Sequence, residues 1–150
     1  MKITGSFLRV ACLSLAVTLA SAQSPDGTKY SPLRQINRSN VDKLEVAWTF
    51  HTGDLYAGSK GGLRGKASSF ETTPVYEDGV LFITTPFGRV IALEPDTGKQ
   101  IWAFDPQIDK GAGYGDFANR GVSTWRDPRT GKRTIFIATI DARLFALDAA

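Results

Sequence analysis

From residue 75 onward, β-branched and aromatic side chains fall in runs of about five, separated by short clusters of Gly, Asp and Pro. That alternation predicts short strands joined by tight turns. Val75-Tyr76 passes through Glu77-Asp78-Gly79, a hairpin signal, into Val80–Thr84. After Pro86-Phe87-Gly88 comes a strand over residues 89–93. Asp96-Thr97-Gly98-Lys99 then turns the chain into Gln100–Phe104, which carries Trp102. A second set follows at residues 122–125, 135–139 and Leu144–Asp148. Upstream, Ser39-Asn40-Val41-Asp42 has the form of a capping box opening one helical turn. Residues 46–50 read as the outer strand of a preceding unit. Residues 53–65 hold five glycines without periodicity and read as a loop.

The two sets are copies of one unit. Residues 80–96 lie over residues 134–150 at an offset of 54, with Phe, Ile, Thr, Arg, Ala and Leu identical. Trp48 and Trp102 share the same offset. Four antiparallel strands per repeat, at a period of roughly 40 to 55 residues, mark an all-β chain built of β-propeller blades. By alignment, residues 146–150 should run on into another Thr-Gly-Lys turn and a strand ending in Trp. The expectation is therefore part of a longer propeller: the last strand of a preceding blade, one complete blade and most of a second.

The first 22 residues have a different character. Lys2 and Arg9 precede an uncharged apolar run over residues 10–20, and Ala20-Ser21-Ala22 is a small-x-small cleavage pattern. A signal peptide over 1–22, cut before Gln23, is expected, leaving 23–150 as the propeller segment in a periplasm-like compartment. The run has about half the 20 apolar residues needed to span a bilayer. Without it, 16 basic side chains face 15 acidic ones, which excludes a nucleic-acid footprint. Cys12, the one cysteine, leaves with it, so disulfides, thiolate metal sites and cysteine nucleophiles are excluded.

Two sharper motifs fail on spacing. Gly61 to Gly65 is one residue short of a Walker loop, and Lys66 is followed by Ala67 where the loop needs a hydroxyl. Gly113-x-Gly115-x-x-Ala118 lacks the strand before and the helix after that a dinucleotide fingerprint requires. His51, the one histidine, reads as a solvated loop residue.

Five segments together are more specific. They are Gly27-Thr28-Lys29-Tyr30-Ser31-Pro32-Leu33; Leu44-Glu45-Val46-Ala47-Trp48 with Thr52-Gly53-Asp54; Phe70-Glu71-Thr72-Thr73-Pro74; Ala92-x-Glu94-x-x-Thr97-Gly98-Lys99-x-x-Trp102; and Asn119-Arg120-Gly121-Val122. In this order they resemble the start of the pyrroloquinoline quinone (PQQ)-dependent glucose and alcohol dehydrogenases. The resemblance implies an eight-bladed, quinoprotein dehydrogenase-like propeller locked by tryptophan-docking repeats, with PQQ near its axis and Ca2+ beside the quinone. It assigns Glu71 and Arg120 to cofactor binding. A guanidinium fork suits the carboxylates of a planar tricarboxylate. The plain alternatives are a solvated strand-edge charge for Glu71, a surface cation for Arg120, and packing roles for Trp48 and Trp102.

The resemblance further implies oxidation of a sugar or alcohol hydroxyl, with electrons passed to ubiquinone or a cytochrome c and peripheral membrane association within reach. The general-base aspartate and the calcium ligands are expected beyond Ala150, so no catalytic or metal-binding residue is expected here and the segment alone should be inactive. Two departures stand out. Alcohol-oxidising branches carry adjacent cysteines where this chain has Tyr114 and Gly115, although Asp116, Asn119 and Arg120 match. That favours the glucose-dehydrogenase-like branch. The Trp-containing opening that usually precedes Gly27-Thr28 is missing. The competing classes are a non-enzymatic propeller scaffold of the outer-membrane assembly type and a sugar-binding, lectin-like propeller.

Overall fold

The computed structural model describes residues 33–55, 68–112, 114 and 116–150. The expected signal peptide with Cys12, most of the glycine-rich loop, and Gly113 and Gly115 lie outside them. The described chain is all-β apart from one 3-10 turn at Val41–Lys43. Its strands are β1 (Ser68–Phe70), β2 (Val75–Glu77), β3 (Val80–Thr84), β4 (Val90–Leu93), β5 (Gln100–Phe104), β6 (Phe117–Asn119), β7 (Ser123–Arg126), β8 (Arg133–Ala138) and β9 (Leu144–Asp148). β2 to β5 form one four-stranded sheet and β7 to β9 a three-stranded one, antiparallel throughout and in sequence order. β1 and β6 form a short parallel ladder.

Local chemistry explains the turns. Asp78 and Gly79 both take positive φ, which joins β2 to β3 in a two-residue hairpin. Between β4 and β5, Gly98 N–H donates to the Glu94 carbonyl and Glu94 N–H to that of Lys99. Asp127, Gly131 and Lys132 repeat those two bonds between β7 and β8. Asp-Pro-Arg-Thr-Gly-Lys thus folds like Glu-Pro-Asp-Thr-Gly-Lys although the two stand at different places in their sheets.

Packing between the sheets forms the core. Val75, Phe82, Val90 and Ala92 of the first sheet meet Val122, Ile135 and Ile137 of the second. Ile83, Ile91 and Leu93 point the other way and are covered by Trp48 and Phe50. Every residue of β4 is therefore buried, which is why its sequence is a continuous apolar run with no alternation.

Contacts recur across the sheets at fixed separations. Trp48 Nε1 donates to the Pro95 carbonyl (2.8 Å) and Trp102 Nε1 to that of Ala149 (3.4 Å), each 47 residues on. Arg89 Nη1 donates to the Thr52 carbonyl (3.0 Å) and Arg143 Nη2 to that of Pro106 (2.6 Å), each 37 residues back. At the hairpin end, Arg133 pairs with Glu77 and Asp78, Arg126 pairs with Asp78, and Thr124 Oγ1 donates to Glu77 Oε2.

Two expectations change and one ladder is new. Residues 46–50 form no ladder: no described segment runs beside them to exchange backbone hydrogen bonds, and Trp48 and Phe50 are held by side-chain packing. The helical turn is capped by Asn40, not Ser39, and without a side-chain cap bond. Asn40 instead accepts from Asn37 N–H and donates to the Gln35 carbonyl, so the asparagine amides replace the capping box. β1 and β6 were not foreseen.

Gly98 bears directly on the seam. Its φ is +70°, and a Cβ there would lie 2.4 Å from the Trp48 ring, whereas a Cβ at Gly79 would meet nothing within 4 Å. Gly79→Ala is expected to cost about 1 kcal/mol, the penalty of a left-handed alanine. Gly98→Ala must also displace the indole and is expected to cost roughly 2–4 kcal/mol. Urea unfolding of the two variants checks this, and equal midpoints would mean that Trp48 does not constrain the seam.

Candidate functional site

Glu71 follows β1 directly and Arg120 follows β6. The parallel register pairs Phe70 with Asn119, so the next residue on each strand comes out side by side. The backbones stay together beyond the ladder: Thr73 N–H donates to the Arg120 carbonyl at 3.0 Å. Gly121 makes this approach possible, because a Cβ there would sit 2.8 Å from the Thr73 carbonyl oxygen, at φ +127°. Thr72 Oγ1 accepts from Thr84 N–H and shares a 2.8 Å hydrogen bond with Thr84 Oγ1, anchoring the segment to β3.

With their neighbours so engaged, the two charged side chains project. Arg120 Nη2 lies 3.0 Å from Glu71 Oε2, with Arg120 83% and Glu71 40% exposed. An ion pair this exposed contributes only about 0–1 kcal/mol, so a ligand carboxylate can compete with Glu71 for the guanidinium. The pair borders an open cavity of about 480 Å³. Asp116 and Asn119 share its near wall, and Ala138 at the end of β8 with Thr139 and Ile140 of the turn after it form the far wall.

The far wall is a closed hydrogen-bonded turn. Thr139 N–H and Oγ1 both reach the Arg143 carbonyl, Thr139 Oγ1 lies 2.5 Å from Asp141 Oδ1, and Arg143 Nε donates to Asp141 Oδ2. The Arg143 guanidinium, then the Thr139 hydroxyl, hold the Asp141 carboxyl below the usual aspartate range. Arg89 and Thr85 build the corresponding turn in the first sheet, where Arg89 also pairs with Asp54 at 3.0 Å beside a cavity of about 370 Å³.

The structure thus brings together the two residues singled out from sequence. Trp48 and Trp102 serve packing, and His51 is exposed and lines neither cavity. Thr139 and Arg143 were visible only as identities between the repeats, and Asn119 only as part of a motif. Among the described residues, no three His, Cys, Asp or Glu side chains gather to hold a metal ion, and no helix is long and apolar enough to cross a membrane.

Two repeated antiparallel sheets, packed face to face and joined in sequence order, define a segment of a β-propeller. The chain belongs to the PQQ family: residues 20–150 match the model of the glucose/ethanol/alcohol dehydrogenase β-propeller domain. It is 38% identical to the quinohemoprotein alcohol dehydrogenase of Comamonas testosteroni over 82% of its own length and 15% of that protein's. Against quinoprotein glucose dehydrogenase A of Acinetobacter calcoaceticus the identity is 32%, covering 87% of this chain and 18% of the relative. The solved structure of the quinohemoprotein alcohol dehydrogenase ADHIIG from Pseudomonas putida superposes with a TM-score of 0.63 at 36% identity, over 86% of this chain and 17% of that one. The chain therefore spans less than a fifth of these relatives, and both alcohol and glucose dehydrogenases are among them.

The Asp141 pairing predicts a pH response. Because its folded pKa is depressed, its contribution is complete above the ordinary aspartate value near about 4 and is lost only as pH falls through the lower folded value. A carboxyl NMR titration is expected to place Asp141 below the unfolded-chain aspartate, and Arg143→Ala should move it back up. A midpoint unaffected by Arg143→Ala would contradict the arrangement.

Proposed function

We propose that the chain is the N-terminal part of an exported PQQ-dependent dehydrogenase that oxidises a sugar or alcohol hydroxyl. The observation that carries this is the parallel β1–β6 ladder, which sets Glu71 and Arg120 together at the mouth of a cavity between two sheets. Family membership and the alcohol and glucose dehydrogenases among the relatives support the same reading.

The donor set suits one edge of the cofactor. Arg120 offers a guanidinium to a carboxylate, while Glu71 orients that guanidinium and accepts a hydrogen bond from the ligand. Glu71 and Asp116 are themselves anionic, so the other carboxylates of a tricarboxylate must find their partners on later blades. When bound, the quinone supplies a two-electron, two-proton acceptor. This chain's residues hold its edge, fix its orientation and wall it off with Thr139 and Ile140. Ca2+ beside the quinone, its ligands and the general-base aspartate belong beyond residue 150.

The wider assignment follows the same logic. Residues 1–22 act as a cleaved signal peptide and the enzyme works in the periplasm, free or peripherally attached to the membrane. Eight blades close the ring, with Trp48 and Trp102 as the first of its repeated tryptophan locks. Electrons leave to ubiquinone or a cytochrome c.

The test uses the full-length protein. Apo-enzyme titrated with PQQ and Ca2+ should gain quinone absorbance and reduce an artificial acceptor dye with substrate. Arg120→Ala is expected to weaken cofactor binding about tenfold or more, with Arg120→Lys in between because a point charge cannot replace the fork. Unchanged titration in Arg120→Ala would overturn the site assignment. A full-length protein that stays colourless would instead be a scaffold.

A further inference from the structure

Arg120 is fixed on one side only by its own strand pair. Its carbonyl accepts from Thr73 N–H, and Gly121 rests on the Thr73 carbonyl, so backbone contacts bind the loop to the β1 side of the cavity. Nothing in those contacts sets its distance from the far wall, which belongs to β8 and the turn after it. The chain itself runs on into β7, which pairs with β8 from Ser123 opposite Phe136 onward, and Val122 packs on Ile135 and Ile137; one side chain adds a direct tie from the turn to the wall. Asn119 Oδ1 accepts from Gly121 N–H at 3.0 Å, which closes the turn around Arg120. Asn119 Nδ2 donates to the Ala138 carbonyl at 3.1 Å, across to the last residue of β8.

The far wall is itself stiff. Thr139 is tied to Arg143, and Arg143 reaches back to the Pro106 carbonyl beyond β5. An amide seated between a closed turn and a stiff wall transmits the position of one to the other. We infer that Asn119 is a positioning residue for the anion site, its carboxamide holding the Arg120 turn at a fixed distance from the Ala138–Thr139–Ile140 wall. This rests on the proposal that the cavity beside Arg120 receives the cofactor, and adds a residue that acts through Arg120.

Serine is the informative replacement. Its hydroxyl can still accept from Gly121 N–H, but it is too short to reach Ala138, so Asn119→Ser removes the tie across the cavity and leaves the turn closed. Full-length apo-protein carrying Asn119→Ser, Arg120→Ala or both is titrated with PQQ in the presence of Ca2+, well below the melting temperature of each variant. Asn119→Ser is expected to weaken binding about tenfold, the scale of one net hydrogen bond. The decisive reading is the double variant: if Asn119 acts through Arg120, adding Asn119→Ser to Arg120→Ala brings no further loss.

A purely architectural asparagine would lower the melting temperature while leaving cofactor affinity unchanged, or weaken binding equally with and without Arg120. Either result overturns the inference and leaves the cofactor assignment standing, provided that Arg120→Ala alone binds poorly. Normal binding by Arg120→Ala removes the assignment and the inference together. Should Asn119→Ser fail to fold, Asn119→Asp takes its place: it keeps the acceptor and loses the donor. Titration at rising salt then separates its added charge from the missing hydrogen bond.

Discussion

A sheet whose central strand is apolar on both faces cannot stand alone, and β4 is such a strand. Its four residues are buried at every position, with the second sheet on one face and Trp48 and Phe50 on the other. Much of the remaining architecture answers the need to keep those covers in place. The indole of Trp48 lies where only a glycine at position 98 leaves room, and its N–H fastens to the Pro95 carbonyl. The Arg89 guanidinium takes a carbonyl from the same preceding segment, at Thr52. Both bonds recur one repeat later at Trp102 and Arg143, so the same two kinds of side chain tie the upstream segment to the first sheet and the first sheet to the second.

The candidate site is a by-product of that seam. The chain leaves one sheet, runs through β6, and enters the next, and β6 lies parallel to β1 because both lead into the first strand of a sheet. Two residues 49 positions apart in sequence therefore emerge at equivalent places. Arg120 and Glu71 come from strands that approach the first and the second sheet respectively in reverse order, and the cavity they border is closed on its far side by the second sheet alone.

Legibility from sequence followed the physics of each element. Strands β2 to β5 and β7 to β9 were readable because each pairs with its neighbour in the chain, through turns whose Asp, Gly and Pro residues state their geometry. β1 and β6 were not, since Ser-Ser-Phe and Phe-Ala-Asn are three residues long and pair across a gap of nearly fifty. Residues 46–50 have strand-like composition yet no ladder, because composition reports a tendency to be extended and a strand also needs a neighbour. The pairing of Glu71 with Arg120 could not be inferred from spacing. The family resemblance selected both residues, and the unforeseen ladder explains why they meet.

The two motifs that flank the cavity divide their labour by position. In Glu71-Thr72-Thr73, Thr72 is spent on Thr84 and Thr73 on the Arg120 backbone. In Asn119-Arg120-Gly121, Asn119 bridges to Ala138 and Gly121 supplies the space against Thr73. Each triplet thus commits two residues to architecture and sets one charged side chain at the cavity, where the two pair with each other. A surface arginine in an ordinary loop would lose its orientation to side-chain entropy. Here the neighbours hold the backbone, and the side-chain torsions of Arg120 are left to its contact with Glu71. The Glu71–Arg120 pair is itself largely exposed, so it holds the guanidinium in place at little energetic cost or gain.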